Sequence, residues 1–413
     1  MKSDLLSDWL KYIDSNRPNE GDFGLERLKD VYSKVLKKSI AKKIILVGGT
    51  NGKGTTVEYL NNFFLSAGYN VGTYTSPHLI RFNERIRLNN QYLDDKKIIS
   101  AFKLIDDVKK ETRLTYFDYA TLAAFNIFSN EDLDFVILEI GIGGKYDPVN
   151  LTEADLSIIT NIELDHQKWL GYSIEEIGSQ KAAILKKGKI AILGSENMPR
   201  SVMEIANSAC SSVYQMNKDF KVEEHLLNWS YSFLKENLEV NSLSYGSLNS
   251  DAACCAMTAY KILCEEEIDY KSIIKKTYLK GRCDVVDNFI LDVSHNPASV
   301  KNLISFLKKN YKDIQFSAIF AAMADKDISS IINDISELIS DWTICSIKDH
   351  RFDTESLAQL TENLTNKKVN RSDTVHSAVY KGYREGTPQI VFGSFITVSQ
   401  AYDALEKIKI ANL

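Results

Sequence analysis

The run Gly48-Gly49-Thr50-Asn51-Gly52-Lys53-Gly54-Thr55-Thr56 follows an apolar stretch from Lys43 to Val47 and opens a segment with helical spacing. Backbone N–H groups of such a turn converge on phosphate oxygens, and the following helix adds a favourable dipole. Glycines matter because a Cβ would hold the backbone away from the anion. Lys53 is spaced to reach the β- and γ-phosphates of a nucleotide, and Thr55 or Thr56 to offer a hydroxyl to magnesium. Thr50, Asn51, Gly52 and Gly54 complete the candidate cradle. Relative to the common phosphate-loop pattern, the spacing from Gly48 is one residue shorter and Gly54 stands between Lys53 and the threonine. The loop alone does not choose between kinase, switch and ligase.

Two further residues could extend this chemistry to a metal. Glu139 ends the apolar run from Asp134 to Ile140, immediately before glycines, where doubly wound sheets bind ligands. His166 lies with Glu163 and Asp165 at the end of another expected strand. Oxygen donors with an occasional imidazole suit Mg²⁺, which keeps several waters. A lone glutamate is more often a cap or a surface acid; the phosphate loop favours the metal reading here. His225, His350 and His376 read as structural or solvent-facing.

The elements that must position these groups alternate between strand and helix. Short apolar strands are expected at 43–47, 71–75, 135–140, 156–160 and 190–193, without polar alternation, as in a parallel sheet covered on both faces. Between about Val213 and Tyr245 the pattern changes to short strands with polar breaks, which reads as a small antiparallel insert. A helix around 251–264 and the turn Lys280-Gly281-Arg282 precede a second series, with strands at 289–293, 316–320, 343–347, 368–370 and 389–392. The fold class is α/β: a P-loop nucleotide-binding domain with a mostly parallel sheet over residues 1–286 and a smaller α/β domain over 287–413.

A chain of 413 residues is long enough for two such domains. Apolar residues make up 44% and charged residues 25%, the balance of a globular protein. A net charge of −5 gives no electrostatic reason to expect a nucleic-acid partner. No apolar stretch approaches the roughly 20 residues that span a bilayer, and the first eight residues lack the apolar run of a signal peptide. Six cysteines show neither a CxxC pair nor zinc-like spacing and read as reduced thiols of a cytoplasmic protein.

The interposed Gly54 is one of several motifs that occur in order. After Thr50–Thr55 come Thr75-Ser76-Pro77-His78-Leu79, Asn83-Glu84-Arg85-Ile86, Glu139-Ile140-Gly141-Ile142-Gly143-Gly144 and Leu164-Asp165-His166. Then follow Lys181-Ala182-Ala183-Ile184, Gly281-Arg282 and Asp292-Val293-Ser294-His295-Asn296-Pro297. From about residue 20 to 400 the series resembles the folylpolyglutamate synthase and dihydrofolate synthase family, a branch of the Mur-type ligases. The resemblance implies an ATPase domain, a smaller Rossmann-like domain, and an active site in the cleft between them. It implies ATP, two Mg²⁺ sites held by Ser76, Glu139 and His166, and a monovalent cation. Lys181, which on a helix would ordinarily be a solvated charge, is implied to be carbamylated by CO₂ and so to become an oxygen ligand. Arg282 is implied to reach the ATP phosphates, Asp292 the ribose, and His295 the reaction centre near the incoming amino acid. Lys53, His166, Lys181 and His295 are the implied catalytic set.

The segment Leu114–Tyr119 and the loop Gly143–Asn150 resemble the family's substrate loops. Phe117, Asp118 and Asp147 would then hold a flat, donor-rich pterin ring; the same aromatic residues could also simply pack a core helix. Departures from the family pattern are Lys145 for Arg, Pro148-Val149 for Ala-Thr, Val293-Ser294 for Gly-Ala, and Ile396 for His. Asp251 stands where an Asn contacting the nucleotide is expected, so the amide donor is lost. These positions bear on substrate specificity and on the finer nucleotide contacts. The implied reaction joins glutamate to dihydropteroate or a reduced folate through an acyl phosphate, on a monomer with no nucleic-acid or membrane partner. Two alternatives stand beside it: a Mur-type ligase acting on another acid, and a nucleotide-binding regulatory ATPase that joins nothing.

Overall fold

The run Lys43–Gly48 forms β1, buried from Ile44 onward, because an uninterrupted aliphatic sequence suits a strand covered on both faces. The computed structural model describes residues 3–16, 24–226 and 228–411. It divides into two compact units, Met1–Thr277 and Tyr278–Leu413.

In the first unit β1 is joined by β2 (Val71–Tyr74), β3 (Ile86–Leu88), β4 (Gln91–Tyr92), β5 (Phe135–Glu139), β6 (Leu156–Ile159), β7 (Ile190–Leu193) and β8 (Ser212–Gln215). The order across the sheet is β4-β3-β2-β5-β1-β6-β7-β8. From β2 to β8 all neighbours are parallel; β3 and β4 add an antiparallel edge. Because β1 lies between β5 and β6, with Val47 opposite Glu139 and Gly48 opposite Ile159, the loops leaving these three strands emerge side by side.

The antiparallel insert is a three-stranded sheet, β9 (Phe220–Glu224), β10 (Asn228–Phe233) and β11 (Leu238–Ser244). It begins later than the expected Val213. Residues 212–215 instead extend the main sheet as a parallel edge strand, and their partial exposure explains why they read like the insert.

The helix Lys53–Ser66 is buried on nearly every side, as expected of a helix enclosed by the domain. Phe64 stacks on Phe135 with ring centres 3.9 Å apart and lies 5.6 Å from Tyr260. On the same helix Glu58 forms an ion pair of 2.6 Å with Arg87 on β3, both side chains being nearly inaccessible. Arg87 also donates to Thr73 and Asn90, so its guanidinium is well hydrogen-bonded.

The second unit holds β12 (Asp284–Val286), β13 (Phe289–Leu291), β14 (Phe316–Phe320), β15 (Ile339–Cys345), β16 (Asn370–Ser372) and β17 (Gln389–Phe392), in the order β12-β13-β17-β14-β15-β16. All pairs are parallel except the hairpin β12–β13. The units divide upstream of the expected junction at 286, because Asp284–Val286 pairs antiparallel with Phe289–Leu291 and so belongs with the second sheet. Strand β15 starts earlier than expected, since the polar pair Ser340-Asp341 interrupts its apolar run.

Removing one partner of a buried pair leaves an uncompensated charge. Glu58→Ala is expected to destabilise the first unit by roughly 3–5 kcal/mol, measured by urea denaturation of the full chain.

Candidate active site

The phosphate loop leaves β1 with Gly49 at φ +134°, and a Cβ there would lie 2.0 Å from Thr160 Oγ1. Only glycine fits this approach of the loop to β6. The Thr160 hydroxyl donates to the Asn51 carbonyl at 2.6 Å, and the Asn161 carbonyl and side-chain oxygen accept the N–H groups of Thr50 and Asn51, both at 2.9 Å. The Thr50 hydroxyl accepts the Glu163 N–H at 3.0 Å. Thr50 and Asn51, expected in the cradle, therefore brace it. The helix from Lys53 follows Gly52 at φ +84°, so its N-terminal turn, the positive end of the helix dipole, stands directly after the loop.

Two lysine ammonium groups converge on one carbonyl. Lys53 Nζ donates to the Gly49 and Thr50 carbonyls at 3.2 and 3.0 Å, and Lys181 Nζ donates to the Gly49 carbonyl at 2.8 Å. Lys181 sits in the last turn of the helix Ile174–Ala182, whose start is fixed by the Ser173–Glu176 capping box. It is 4% exposed. Burial, and then the neighbouring charge of Lys53, push its pKa down to about 7, against the opposing pull of Asp165 and Asp147.

On the strand side of the loop, Glu139 accepts the Ser76 N–H at 3.0 Å. The segment after Ser76 is held by Glu84, whose carboxylate accepts the N–H groups of Leu79, Ile80 and Arg81 at 2.7 to 2.9 Å. Arg85 donates to His78 Nδ1 at 2.8 Å and lies 5.7 and 5.5 Å from the Phe82 and Tyr116 rings. Burial, reinforced by Arg85, lowers the His78 pKa to about 4, so this ring stays neutral. The Asn83-Glu84-Arg85 motif thus builds the loop that carries Ser76.

His166 has φ +51° and starts the short helix Gln167–Leu170. Its N–H donates to Asp165 Oδ1 at 2.8 Å, and Nε2 lies 4.0 Å from Asp165 Oδ2. Among the described residues no three His, Cys, Asp or Glu side chains form a metal cage. That donor set still fits magnesium, which takes one or two carboxylates and completes its shell with water and phosphate oxygens. Ser76 and Glu139 supply such oxygens at adjoining positions.

The expected substrate residues lie close together. Phe117 lies against Gly141, where a Cβ would come within 2.7 Å of its ring, and a Cβ at Gly141 would also lie 3.2 Å from the Asp147 carboxylate. Asp147 accepts the N–H groups of Gly141, Ile142 and Val149 at 2.8, 3.2 and 2.9 Å. Its burial outweighs these bonds and raises the pKa to about 7. Asp118 instead accepts the Thr115 N–H at 2.7 Å and the Arg27 guanidinium at 2.6 Å, both on one oxygen, so it acts as helix cap and ion-pair partner.

In the second unit, Asp292 accepts the N–H groups of Cys283 and Ser294, both at 2.8 Å, and the Ser294 hydroxyl. The carboxylate expected at a ribose therefore also ties two loop ends together. His295 donates Nδ1–H to the Val293 carbonyl at 3.0 Å, which fixes the orientation of the ring. Arg282 lies 5.3 Å from the Phe395 ring. Asp251 is exposed in the first turn of the helix Ser250–Leu263, its N–H donating to the capping Asn249 at 2.7 Å.

Phosphate loop, paired lysines and a carboxylate beside a serine, on a parallel sheet followed by a second α/β unit, define a nucleotide-dependent enzyme. Residues 47–259 match the family model of the Mur ligase middle domain, and residues 281–395 that of the Mur ligase glutamate ligase domain. The chain is 35% identical over 401 residues to the dihydrofolate synthase/folylpolyglutamate synthase of Buchnera aphidicola subsp. Schizaphis graminum, covering 96% of both sequences. It is 32% identical over 409 residues to the protein of the same name from Escherichia coli strain K12, covering 97% of this chain and 96% of that one. Its fold matches E. coli FolC in complex with DHPP and ADP with a TM-score of 0.92 at 29% identity, over 99% of this chain and 100% of that one. A bifunctional folylpolyglutamate synthase/dihydrofolate synthase with Mn, AMPPNP and L-glutamate bound gives 0.87 at 31% identity, over 97% and 98%. The chain belongs to the Mur ligases, in the dihydrofolate synthase/folylpolyglutamate synthase family. No helix among the described residues is long and apolar enough to cross a membrane.

The Lys181 pKa makes a signed prediction. A lysine whose folded pKa is near 7 and whose ordinary value is 10.5 binds protons more weakly in the folded chain. The resulting cost to stability is full below pH 7 and fades as pH rises toward 10.5. Lys181→Met, in protein free of nucleotide and metal, is expected to raise the melting midpoint most at pH 6 and least at pH 9.

Proposed function

We propose that this protein adds L-glutamate to dihydropteroate, tetrahydrofolate or both, using ATP and releasing ADP and phosphate. The observation that carries the reading is the convergence of Lys53 and Lys181 on the phosphate loop, with Ser76 and Glu139 at the adjoining strand ends. Lys53 supplies positive charge for an anion that arrives carrying several charges, and Lys181, its pKa lowered to about 7, supplies an amine able to take up CO₂. The relatives with DHPP, ADP, AMPPNP, Mn or glutamate bound support the same substrates for this chain.

The substrate carboxylate attacks the γ-phosphate in line, displacing ADP and forming an acyl phosphate. The α-amino group of glutamate then attacks the acyl carbon, and inorganic phosphate leaves from the tetrahedral intermediate as the amine loses its proton. Lys53 follows the β- and γ-phosphates and offsets the charge that gathers between nucleophile and nucleotide. Two divalent ions, held by Ser76, Glu139 and His166, supply further neutralisation when bound. Arg282 and Asp292 contact the nucleotide, and His295 Nε2 faces the incoming amino group. Asp251, an acid where the family has Asn, offers the nucleotide no amide donor. Phe117 and Asp147 hold the pterin, the ring by its face and the carboxyl by hydrogen bonds to its donors.

Lys181 is carbamylated in this reading. With a pKa near 7 its amine is about half neutral at pH 7 and more so above it, the form that attacks CO₂ with loss of a proton. The product exchanges an ammonium donor for carboxylate oxygens beside the metal site. A monovalent cation belongs to the same reading, though no residue of this chain is assigned to it. The enzyme acts as a cytoplasmic monomer on small-molecule substrates.

The test is ADP release with ATP, Mg²⁺ and glutamate, comparing dihydropteroate with tetrahydrofolate. Acceleration by both is the expected result; ATP hydrolysis indifferent to either acceptor contradicts the proposal. Lys53→Ala is expected to abolish acceptor-dependent release while leaving the circular dichroism spectrum unchanged; activity within a few-fold of wild type would overturn the role of Lys53.

A further inference from the structure

The turn that carries Arg282 is held from several directions. Gly281 lies at φ +71° and Cys283 at φ +45°, so two of its residues adopt left-handed backbone and one of them is not glycine. The Gly281 carbonyl accepts the Val293 N–H at 2.9 Å, and the Cys283 N–H donates to Asp292. These contacts fix the side of the turn that faces β13.

The other side rests on the C-terminal helix Phe395–Ala411. Phe395 and Tyr402, seven residues apart, lie on one face of that helix. The guanidinium of Arg282 sits 5.3 Å from the centre of the Phe395 ring, and the ammonium of Lys280 5.9 Å from that of Tyr402. The Tyr402 hydroxyl accepts the Gly281 N–H at 2.9 Å and donates to the carboxylate of Asp284, which is 5% exposed and also accepts the Tyr278 hydroxyl. One phenol therefore touches the residue before Arg282 and, through Asp284, the strand that follows it. Burial first, then Asp284, raises the Tyr402 pKa, so the hydroxyl remains a donor across the working pH range.

We infer that Tyr402, Asp284 and Phe395 are positioning residues that set the direction of Arg282 and hence the affinity for nucleotide. The inference rests on the nucleotide role proposed for Arg282. It adds that the direction of this side chain is controlled from a helix more than a hundred residues further along the chain. Tyr402→Phe removes only the hydroxyl, and with it the hydrogen bonds to Gly281 and Asp284, while keeping the ring under Lys280.

The test is a double-mutant cycle on the full chain, read as the affinity for AMPPNP with Mg²⁺ by titration calorimetry. Tyr402→Phe is expected to weaken binding about tenfold, the size of effect a lost buried hydrogen-bond pair produces. In an Arg282→Ala background the same change is expected to weaken binding less than about twofold, because the hydroxyl acts through the arginine. A merely structural role would lower affinity by the same factor in both backgrounds, and that result overturns the inference. So does wild-type affinity in Tyr402→Phe when Arg282→Ala alone binds poorly; this outcome leaves the role of Arg282 standing. If Arg282→Ala itself binds like wild type, the nucleotide role of Arg282 falls and the inference with it. Phe395→Leu, which approaches Arg282 from the other contact, runs the same cycle should Tyr402→Phe melt early, and additivity there overturns the inference equally.

Discussion

Two ammonium groups share the carbonyl of Gly49, and the rest of the site follows from that crowding. Like charges at such range oppose each other, and burial of Lys181 adds a desolvation cost that lowers its pKa. The arrangement is tolerable in a folded chain because Asp165 and Asp147 oppose it and because the amine can lose its proton. The charge of Lys53 becomes useful when a polyanion arrives. Two unit charges 4 Å apart repel by about 4 kcal/mol at an effective dielectric near 20, and a carboxylate approaching a triphosphate faces more than one such pair. Lys53, held on the loop before the substrates bind, reduces that barrier without rearranging at the moment of reaction.

The sheet explains how the charge is held in place. With β1 between β5 and β6, the loops bearing Lys53, Glu139 and His166 leave from neighbouring strands. Thr160 and Asn161, at the end of β6, are the braces of the phosphate loop: their side chains and carbonyl bind Asn51 and Thr50, which fixes the loop ahead of the next helix. Glu84 and Arg85 do the same for Ser76 from the other side, one by gathering three N–H groups and the other by fixing a neutral His78.

How much of this could be read from the residues depended on range. The phosphate loop was legible because its glycines answer local needs, Gly49 and Gly52 both standing at positive φ between a strand and a helix. The uninterrupted aliphatic strands of the first sheet were legible for the same reason. Strand β8 was not, since a half-exposed edge strand carries the same polar breaks as an antiparallel insert. The hairpin partner β12 has no expected counterpart, because three residues without a clear pattern do not announce their sheet. Asn161 and Thr160 gave no signal: their partners lie more than a hundred residues earlier. The contact of Asp118 with Arg27, 91 residues earlier in the chain, likewise has no local signal. The lowered pKa of Lys181 arises from its burial and then from the charge of Lys53, far earlier in the chain, and could not be anticipated from its helix.

The most direct test of the account is a crystal structure of this protein with AMPPNP and Mn²⁺, using the anomalous signal of manganese to locate the metal. The account predicts a peak bonded to Glu139 and the Ser76 hydroxyl, with the terminal phosphate over the first turn from Lys53 and Lys181 no longer donating to Gly49. Manganese bound elsewhere, with both lysines still on the Gly49 carbonyl, would contradict it.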